Sequence, residues 1–435
     1  MSLPKDFESS EEYFTECLKF FEEYQYLYNT SNVEILLHNV LDKIDLNAED
    51  IDVFGDNIDL AAISDDYLIK LFSKLKKLQV FHKDFLQDEV EYNIDVPLSI
   101  KKKHEIMYLA KEINEICGNI NCDVIVDFGS GLGYLDQLLF ETTNYKVLGI
   151  ECNERHYVGA KKRQRKYHEN SLQNVKYVKH TIKGDSHEKI KFFLTEKFQN
   201  LDKFCITGLH ACADLTIDAI NIFFEMEKAK AIAIMPCCYH KMIETNGHFK
   251  NFPISSTLKN VYERWEGDVK MNVPFLRLAA QPPRVEEQLQ DLIFNLLSRA
   301  VLQVYASKHN YKLKRNRRKP VKTKTMDNNF DQYVQNSIES GFTLTPTVPL
   351  SEDQENPTFN VEDLKSMWAN ISSVTFKKAA IYILLQNHLQ PVMENFVLYD
   401  RLVYLKENGV NNCSFKKILN EKISPRCLAL VAYKS

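Results

Sequence analysis

Apolar residues recur along this chain with two periods. In residues 1–95 the spacing is helical: Phe7, Phe14, Cys17, Phe20, Phe21, Tyr24 and Leu27 or Tyr28 share one broad face. Val33–Ile44 predicts a second helix. Ser64 predicts an N-cap, with Asp65 and Asp66 in the first turn to suit the helix dipole. A stripe of Tyr67, Leu68, Leu71, Phe72, Leu75 and Leu78 follows. Ser99 caps a further helix, predicted to end before Gly118. From there the pattern changes. Asp123–Phe128, Lys146–Ile150, Lys176–Ile182, Lys203–Leu209 and Ala229–Met235 are short runs suited to buried strands, separated by helical stretches. Such alternation predicts an α/β fold with a doubly wound parallel sheet.

Residues 242–370 break the alternation and read as a helical insertion without strands. Pro283 opens its strongest stripe, Leu289, Leu292, Ile293, Leu296, Leu297, Ala300 and Val304. Residues 342–358 read as a loop, and a short helix carrying Trp368 begins near Asn360. Ser373–Leu389 and Pro391–Glu407 read as two helices, the second stopped by Gly409. Asn412–Leu419 and Arg426–Tyr433 then read as strands. They would complete a seven-stranded, Rossmann-like sheet whose last strand is antiparallel. The expected domains are an N-terminal helical cap (1–95), the cofactor-binding half of the core (96–242), an insertion before the sixth strand (243–372), and the completion of the sheet (373–435).

Composition narrows the setting. With 435 residues, the chain has room for more than one domain, and its 44% hydrophobic content is ordinary for a globular protein. It has no apolar run of the roughly 18 residues a membrane span needs. The acidic, aromatic start does not read as a secretory leader. Ten cysteines without framework spacing read as reduced thiols. A cytoplasmic or nuclear protein without membrane contact is therefore expected. The net charge of −4 hides an asymmetry: residues 1–100 hold 22 Asp and Glu against 8 Lys and Arg, which leaves +10 for the remainder. Lys312–Lys324, KLKRNRRKPVKTK, adds a basic run that is a candidate nucleic-acid contact or nuclear localisation signal, against the plainer reading of a solvated loop.

The densest chemistry lies in NCDVIVDFGSGLGYLDQLL, residues 121–139. A strand, a glycine turn and a helix follow one another, as in the first βα unit of a nucleotide-binding sheet. A dinucleotide fingerprint needs G-x-G-x-x-G, and Tyr134 stands where its last glycine would be. Instead Asp127 precedes Gly129, Gly131 and Gly133 as D-x-G-x-G-x-G. This arrangement resembles the first motif of class I S-adenosylmethionine-dependent methyltransferases. The resemblance implies that Gly129, Ser130, Gly131 and Gly133 pass under the methionine part of that cofactor, while Asp127 organises the loop and the amino group. Glu151, at the tip of the second strand, is placed to accept hydrogen bonds from the ribose hydroxyls.

A second concentration of chemistry follows the fourth and fifth strands. His210, Cys212 and Asp214 sit at one tip, and Cys237, Cys238, Tyr239 and His240 at the other. Ligands of such sheets bind outside the carboxyl ends of the strands. Three readings stay open. In the first, His210 or Asp214 takes a proton from the acceptor and Cys212 or Tyr239 lines its pocket. In the second, His210, Cys212, Cys237, Cys238 and His240 hold zinc, although the spacing is not the usual C-x₂-C. In the third, the cysteines are packing. The first is adopted, with no residue assigned as a metal ligand. A [DNS]-P-P-[YFW] signature is missing, which argues against standard N6-adenine methylation.

Several stretches together resemble the methyltransferase-like protein 25 family and its relatives named ribosomal RNA adenine dimethylase domain-containing. They are KKKHEI at 101–106, VDFGSGLG at 126–133, GIE at 149–151, TGLHACADLT at 207–216, CCY at 237–239, FPIS at 252–255 and SPRCLAL at 424–430. The strand-tip pattern is also similar to that of transfer RNA 2′-O-methyltransferases, departing at Ala213, where glycine is usual, and at Cys427, where asparagine is. The resemblance implies an S-adenosylmethionine-dependent methyltransferase. RNA is the expected substrate, reached through Lys312–Lys324 and the basic core. A protein substrate, or a non-catalytic scaffold, is the alternative.

Overall fold

The computed structural model describes residues 3–4, 6–55, 58–86, 97–198, 202–281, 289–316, 321, 328–348 and 357–434. Helix α1 (Ser10–Glu23) starts where the Ser9 hydroxyl accepts the Glu12 N–H, and it buries Tyr13, Phe14, Cys17, Leu18, Phe20 and Phe21. The helix expected over Val33–Ile44 does not form. Two 3₁₀ turns, Asn32–Glu34 and Val40–Lys43, replace it, separated by Asn39 at φ 49°, a left-handed conformation that ends helical hydrogen bonding. Helix α2 (Asp66–Leu78) is capped by Asp65 rather than Ser64, since Asp65 Oδ1 accepts the Leu68 N–H at 3.1 Å. Helix α3 (Ile100–Ile120) runs through Gly118 and stops at Asn121, which takes the left-handed conformation the sequence assigned to the glycine.

The βα units then follow in order: β1 (Val124–Phe128), α4 (Tyr134–Thr143), β2 (Lys146–Glu151), α5 (Glu154–Tyr167), β3 (Val175–Lys179), α6 (His187–Lys197), β4 (Phe204–Cys212), α7 (Leu215–Glu225) and β5 (Ala229–Cys237). β3 stops short of its expected end at Ile182. β4 and β5 run further than expected, so His210, Cys212 and Cys237 belong to strands rather than to the loops beyond them.

The insertion carries strands after all. A small hairpin of β6 (Glu244–Thr245) and β7 (His248–Phe249) precedes α8 (Ser256–Glu263), α9 (Val273–Ala279) and α10 (Leu289–Lys308). Pro283 lies outside the described residues. β8 (Tyr311–Arg315), α11 (Phe330–Asn336) and β9 (Phe342–Pro346) follow, with β8 and β9 paired antiparallel from Tyr311↔Pro346 to Arg315↔Phe342. The period-2 signal was present: Tyr311 and Leu313 alternate with lysines, and Phe342 and Leu344 with threonines. The surrounding charge hid it. This hairpin, α10, α11 and α12 (Val361–Ala369) share a core of their own around Phe294, Leu302, Tyr333, Leu344 and Leu364.

The two helices expected around Pro391 are one, α13 (Ser373–Glu407). Proline removes one backbone donor. The helix continues because Leu385 and Leu389 before it and Val392, Met393 and Phe396 after it are all buried in the same core. β10 (Cys413–Lys417) and β11 (Leu428–Tyr433) close the sheet in the order β10-β11-β5-β4-β1-β2-β3. β11 is antiparallel to both its neighbours, and the other described pairs of this sheet are parallel. Successive side chains of β1 divide two layers. Ile125 meets α3 and α4, whereas Val126 and Phe128 meet the core that holds α6, α7, α13 and the N-terminal helix. The parallel strand ends that carry candidate residues therefore open on one edge.

Candidate active site

At that edge β1 turns through Gly129, Gly131 and Gly133, with φ of 78°, 59° and 73°. These values are readily available only to glycine. At Gly133 space also demands it, because a Cβ would run into the Tyr177 hydroxyl. The loop hangs from β2. The Gly129 and Ser130 N–H groups donate to the Ile150 carbonyl at 2.9 and 3.2 Å. The Gly131 N–H donates to Glu151 Oε2 at 2.9 Å, and the Asn153 N–H to Oε1 at 2.7 Å. Each Glu151 oxygen thus holds one backbone N–H and keeps capacity for another donor.

Asp127 lies beneath the loop, 2% exposed. Burial pushes its carboxyl up to about 6, while the neighbouring Asp136 carboxyl and the Lys102 charge pull the other way. Asp136, on α4, is raised as well, first by burial and then by the charge of Asp127. Asp127 Oδ1, Ser130 Oγ and both Asp136 oxygens are buried without a hydrogen-bond partner. Buried polar atoms are normally paired. A cradle of glycines lined by orphaned acceptors suits a ligand that carries an ammonium group, so the residues fit S-adenosylmethionine. Sequence reasoning missed Asp136. Its signal was an acid between Leu135 and Leu138 on an otherwise apolar helix face.

The β4 and β5 tips gather the other candidates and give them different tasks. His210 Nε2 lies 3.3 Å from Glu105 Oε2, and the Ser424 hydroxyl donates to Glu105 Oε1 at 2.8 Å. Glu105 is 2% exposed. Burial raises its carboxyl, yet the hydrogen bond and charge of His210, with Ser424 and Lys102, outweigh this and hold it below its ordinary value. The His210 side chain itself is 42% exposed. From the sequence, Glu105 belongs to a helix start that is either an exposed polar end or a flank of the cofactor mouth, and Ser424 has no assigned role; their pairing was not legible, since the partner is more than 100 residues away in each case.

Asp214 does not present a free carboxylate. Its oxygens accept the Ile243 N–H at 2.8 Å and the Asn251 side-chain amide at 2.7 Å, which clamps the β6–β7 hairpin. Tyr239 does not line an open pocket. It is 1% exposed, donates to Glu394 Oε1 at 2.9 Å, and lies under the Arg401 guanidinium. Cys212, Cys237 and Cys238 come together, with Cys212 Sγ and Cys237 Sγ 2.9 Å apart. All ten cysteines are free thiols. Hydrogen bonds from Cys212 and then Cys237 hold the Cys238 thiol below its ordinary value. The five-ligand set does not assemble, because His210 turns to Glu105 and His240 stands apart from the three sulfurs.

A seven-stranded sheet of this order, with a glycine loop after its first strand and an acid after its second, defines the class I methyltransferase fold. Residues 101–245 match a family profile described as a methyltransferase domain. Within the class, the chain is similar to methyltransferase-like protein 25. It is 27% identical to the Mus musculus protein over 253 residues, 55% of this chain and 39% of that protein. It is 27% identical to the Homo sapiens protein over 257 residues, 55% of this chain and 38% of that one. The match thus spans well under half the length of these relatives. Among solved structures, the methyltransferase domain of bacterial CtHen1 is 12% identical, covers 47% of this chain and 86% of its own, and has a TM-score of 0.23. The plantazolicin methyltransferase BpumL, solved with SAH, is 11% identical with a TM-score of 0.22, covering 55% of this chain and 83% of its own. Strand order and loop geometry, not these overlaps, carry the assignment. No helix among the described residues is long and apolar enough to cross a membrane.

Proposed function

We propose that the chain is an S-adenosylmethionine-dependent methyltransferase that acts on RNA. The observation that carries the cofactor is the set of orphaned acceptors, Asp127 Oδ1 and Ser130 Oγ, beneath a glycine loop strapped to Glu151. Asp127 would hold the amino group, the glycine loop the methionine part, and Glu151 the ribose. When bound, the cofactor supplies an electrophilic methyl group on a sulfonium. The protein's part is to orient the acceptor and take its proton. His210 is suited to this. Its Nε2–H is directed to Glu105, which leaves the lone pair on Nδ1 for an acceptor proton, and the imidazolium that results is balanced by a buried carboxylate. RNA is favoured by Lys312 and Lys314, exposed on the outer side of β8, with Arg315 and Arg299 near one another beside them.

Calorimetric titration tests the cofactor. Wild type should bind S-adenosylmethionine, and Asp127→Ala or Glu151→Ala should weaken binding by roughly 10- to 100-fold, as expected for losing a charge-assisted hydrogen bond. A folded wild type that takes up no cofactor would end the reading. Radiolabelled methyl transfer tests the substrate. Label lost to nuclease supports RNA, while label lost only to protease gives the chain a protein substrate. Lys312→Gln with Lys314→Gln should lower the salt dependence of RNA binding by about two phosphate contacts.

A further inference from the structure

The methyl-transfer reading leaves the three strand-tip cysteines without a task. Cys212 and Cys237 are register partners at the carboxyl ends of the adjacent parallel strands β4 and β5. Cys238 follows at φ 52°, a left-handed turn that a non-glycine residue rarely takes. The result is three sulfurs mutually within 4.8 Å, one pair at 2.9 Å. Cys237 is buried, and Cys212 and Cys238 are half-buried.

Packing alone does not account for this convergence. A thiol is a weak donor and a weak acceptor. Three of them at one point gain little from each other, and they displace the apolar side chains that would fill the space better. Thiolates around a soft cation have a reason to converge. A tetrahedral Zn²⁺ site places each sulfur about 2.3 Å from the metal, and hence the sulfurs about 3.8 Å from one another. In a triangle already within 4.8 Å, the Cys212–Cys237 pair at 2.9 Å would open toward this spacing. His240, in the same turn, has a buried Nδ1 without a hydrogen-bond partner. Its ring lies outside the set of three sulfurs, so it would have to turn inward to take the fourth corner, and water is the other candidate.

We propose that Cys212, Cys237 and Cys238 bind one Zn²⁺ through their thiolates, joining the tips of β4 and β5 beside the acceptor edge. Binding releases the thiol protons to solvent and changes no oxidation state. The metal would fix the Ala213 and Cys238 turns, and with them the strand end that carries His210. This assignment stands apart from the methyl-transfer reading, because its measurements need neither cofactor nor substrate.

The test uses the full chain, purified from zinc-supplemented cells under reducing conditions. Elemental analysis should find about one zinc per chain. Cys238→Ser should lower this at least severalfold, and Cys413→Ser, far from the cluster in sequence, should leave it unchanged. Cys237 is buried, so Cys237→Ser is read alongside circular dichroism, and Cys238→Ser carries the result if it misfolds. After chelation, Co²⁺ should restore one equivalent and show a thiolate-to-cobalt charge-transfer band that Cys238→Ser lacks. Alkylation mapping should show these three thiols protected by Zn²⁺ and exposed by chelator. Absence of zinc from well-folded wild type, zinc that Cys238→Ser does not disturb, or a Cys212–Cys237 disulfide that alkylation finds in place of metal would each overturn the proposal.

Discussion

Ala213 shows how much a single residue can carry. It sits between the tip of β4 and the start of α7 with φ 55°, where a Cβ crowds the backbone and glycine is the usual solution. Its N–H donates to the Cys237 carbonyl at 3.1 Å, so the turn is held in place rather than free to relax. Left-handed backbone costs an L residue about 1 kcal/mol or more, and glycine loses part of that gain through unfolded-state entropy. Ala213→Gly should therefore stabilise the protein by up to about 1 kcal/mol in denaturant unfolding. A loss of stability would show that the Ala213 methyl makes packing contacts worth more than the backbone it distorts. The sequence pointed to this position as a departure from glycine, and the positive φ gives that departure its physical meaning. It was less informative about Asp214 and Tyr239. Their residue types suit catalysis, but a carboxylate engaged by Ile243 and Asn251, and a phenol buried against Glu394, depend on partners no local pattern reveals.

Among the elements, α13 ties the N-terminal helix and the insertion to the sheet. Phe396 makes edge-on contacts with Phe14 and Phe21 of α1, with Phe252 and with Phe275 of α9, at centroid distances of 5.1 to 6.2 Å. Four residues on, the Asp400 carboxylate accepts the Ile254 and Ser255 N–H groups at 2.8 and 2.9 Å, which fixes the start of α8. Phe396→Ala should cost about 3–5 kcal/mol, the range for emptying a large buried aromatic site. Because Phe396 joins elements distant in the chain, proteolysis should then release the N-terminal segment before the sheet unfolds. Simultaneous loss of both would mean that α1 and the sheet unfold as one cooperative unit. The sheet was legible because each βα unit repeats a local signal of apolar run, turn and amphipathic helix. The β8–β9 hairpin and the continuity of α13 were not. In the first the charge run masked a period of two, and in the second a proline suggested a break that burial overrides.

Across the whole molecule, several buried or half-buried acids share one sign of perturbation, and this contributes to how stability depends on pH. Asp127 is raised to about 6 and Asp136 is raised too, both chiefly by burial. Asp218 is raised to about 6 by burial and then by the Asp214 charge, and burial raises Glu394. A carboxyl whose folded value exceeds its unfolded value of about 4 binds protons in the folded state that the unfolded chain has already released. Stability from Asp127 and Asp218 is complete below about pH 4 and is lost as pH rises through about 6. Glu105 acts in the opposite sense, and its contribution is present above its unfolded value of about 4 and is lost as pH falls below it. The contribution of the raised carboxyls to the stability of the unliganded protein should therefore decline as pH rises from about 4 through about 6. Asp136→Asn isolates the effect. Asparagine keeps the shape of the side chain and removes the second charge. The variant should be more stable than wild type at about pH 7.5, because it no longer carries a buried charge beside Asp127. Its melting temperature should vary less between about pH 5 and 7.5 than that of wild type. A variant with the wild-type pH slope would place the destabilising charge elsewhere. The expected outcome identifies the carboxyl pair under the glycine loop as a site where stability is given up to keep acceptors ready for a cation. It also predicts that S-adenosylmethionine raises the melting temperature most where Asp127 is ionised, above about pH 6.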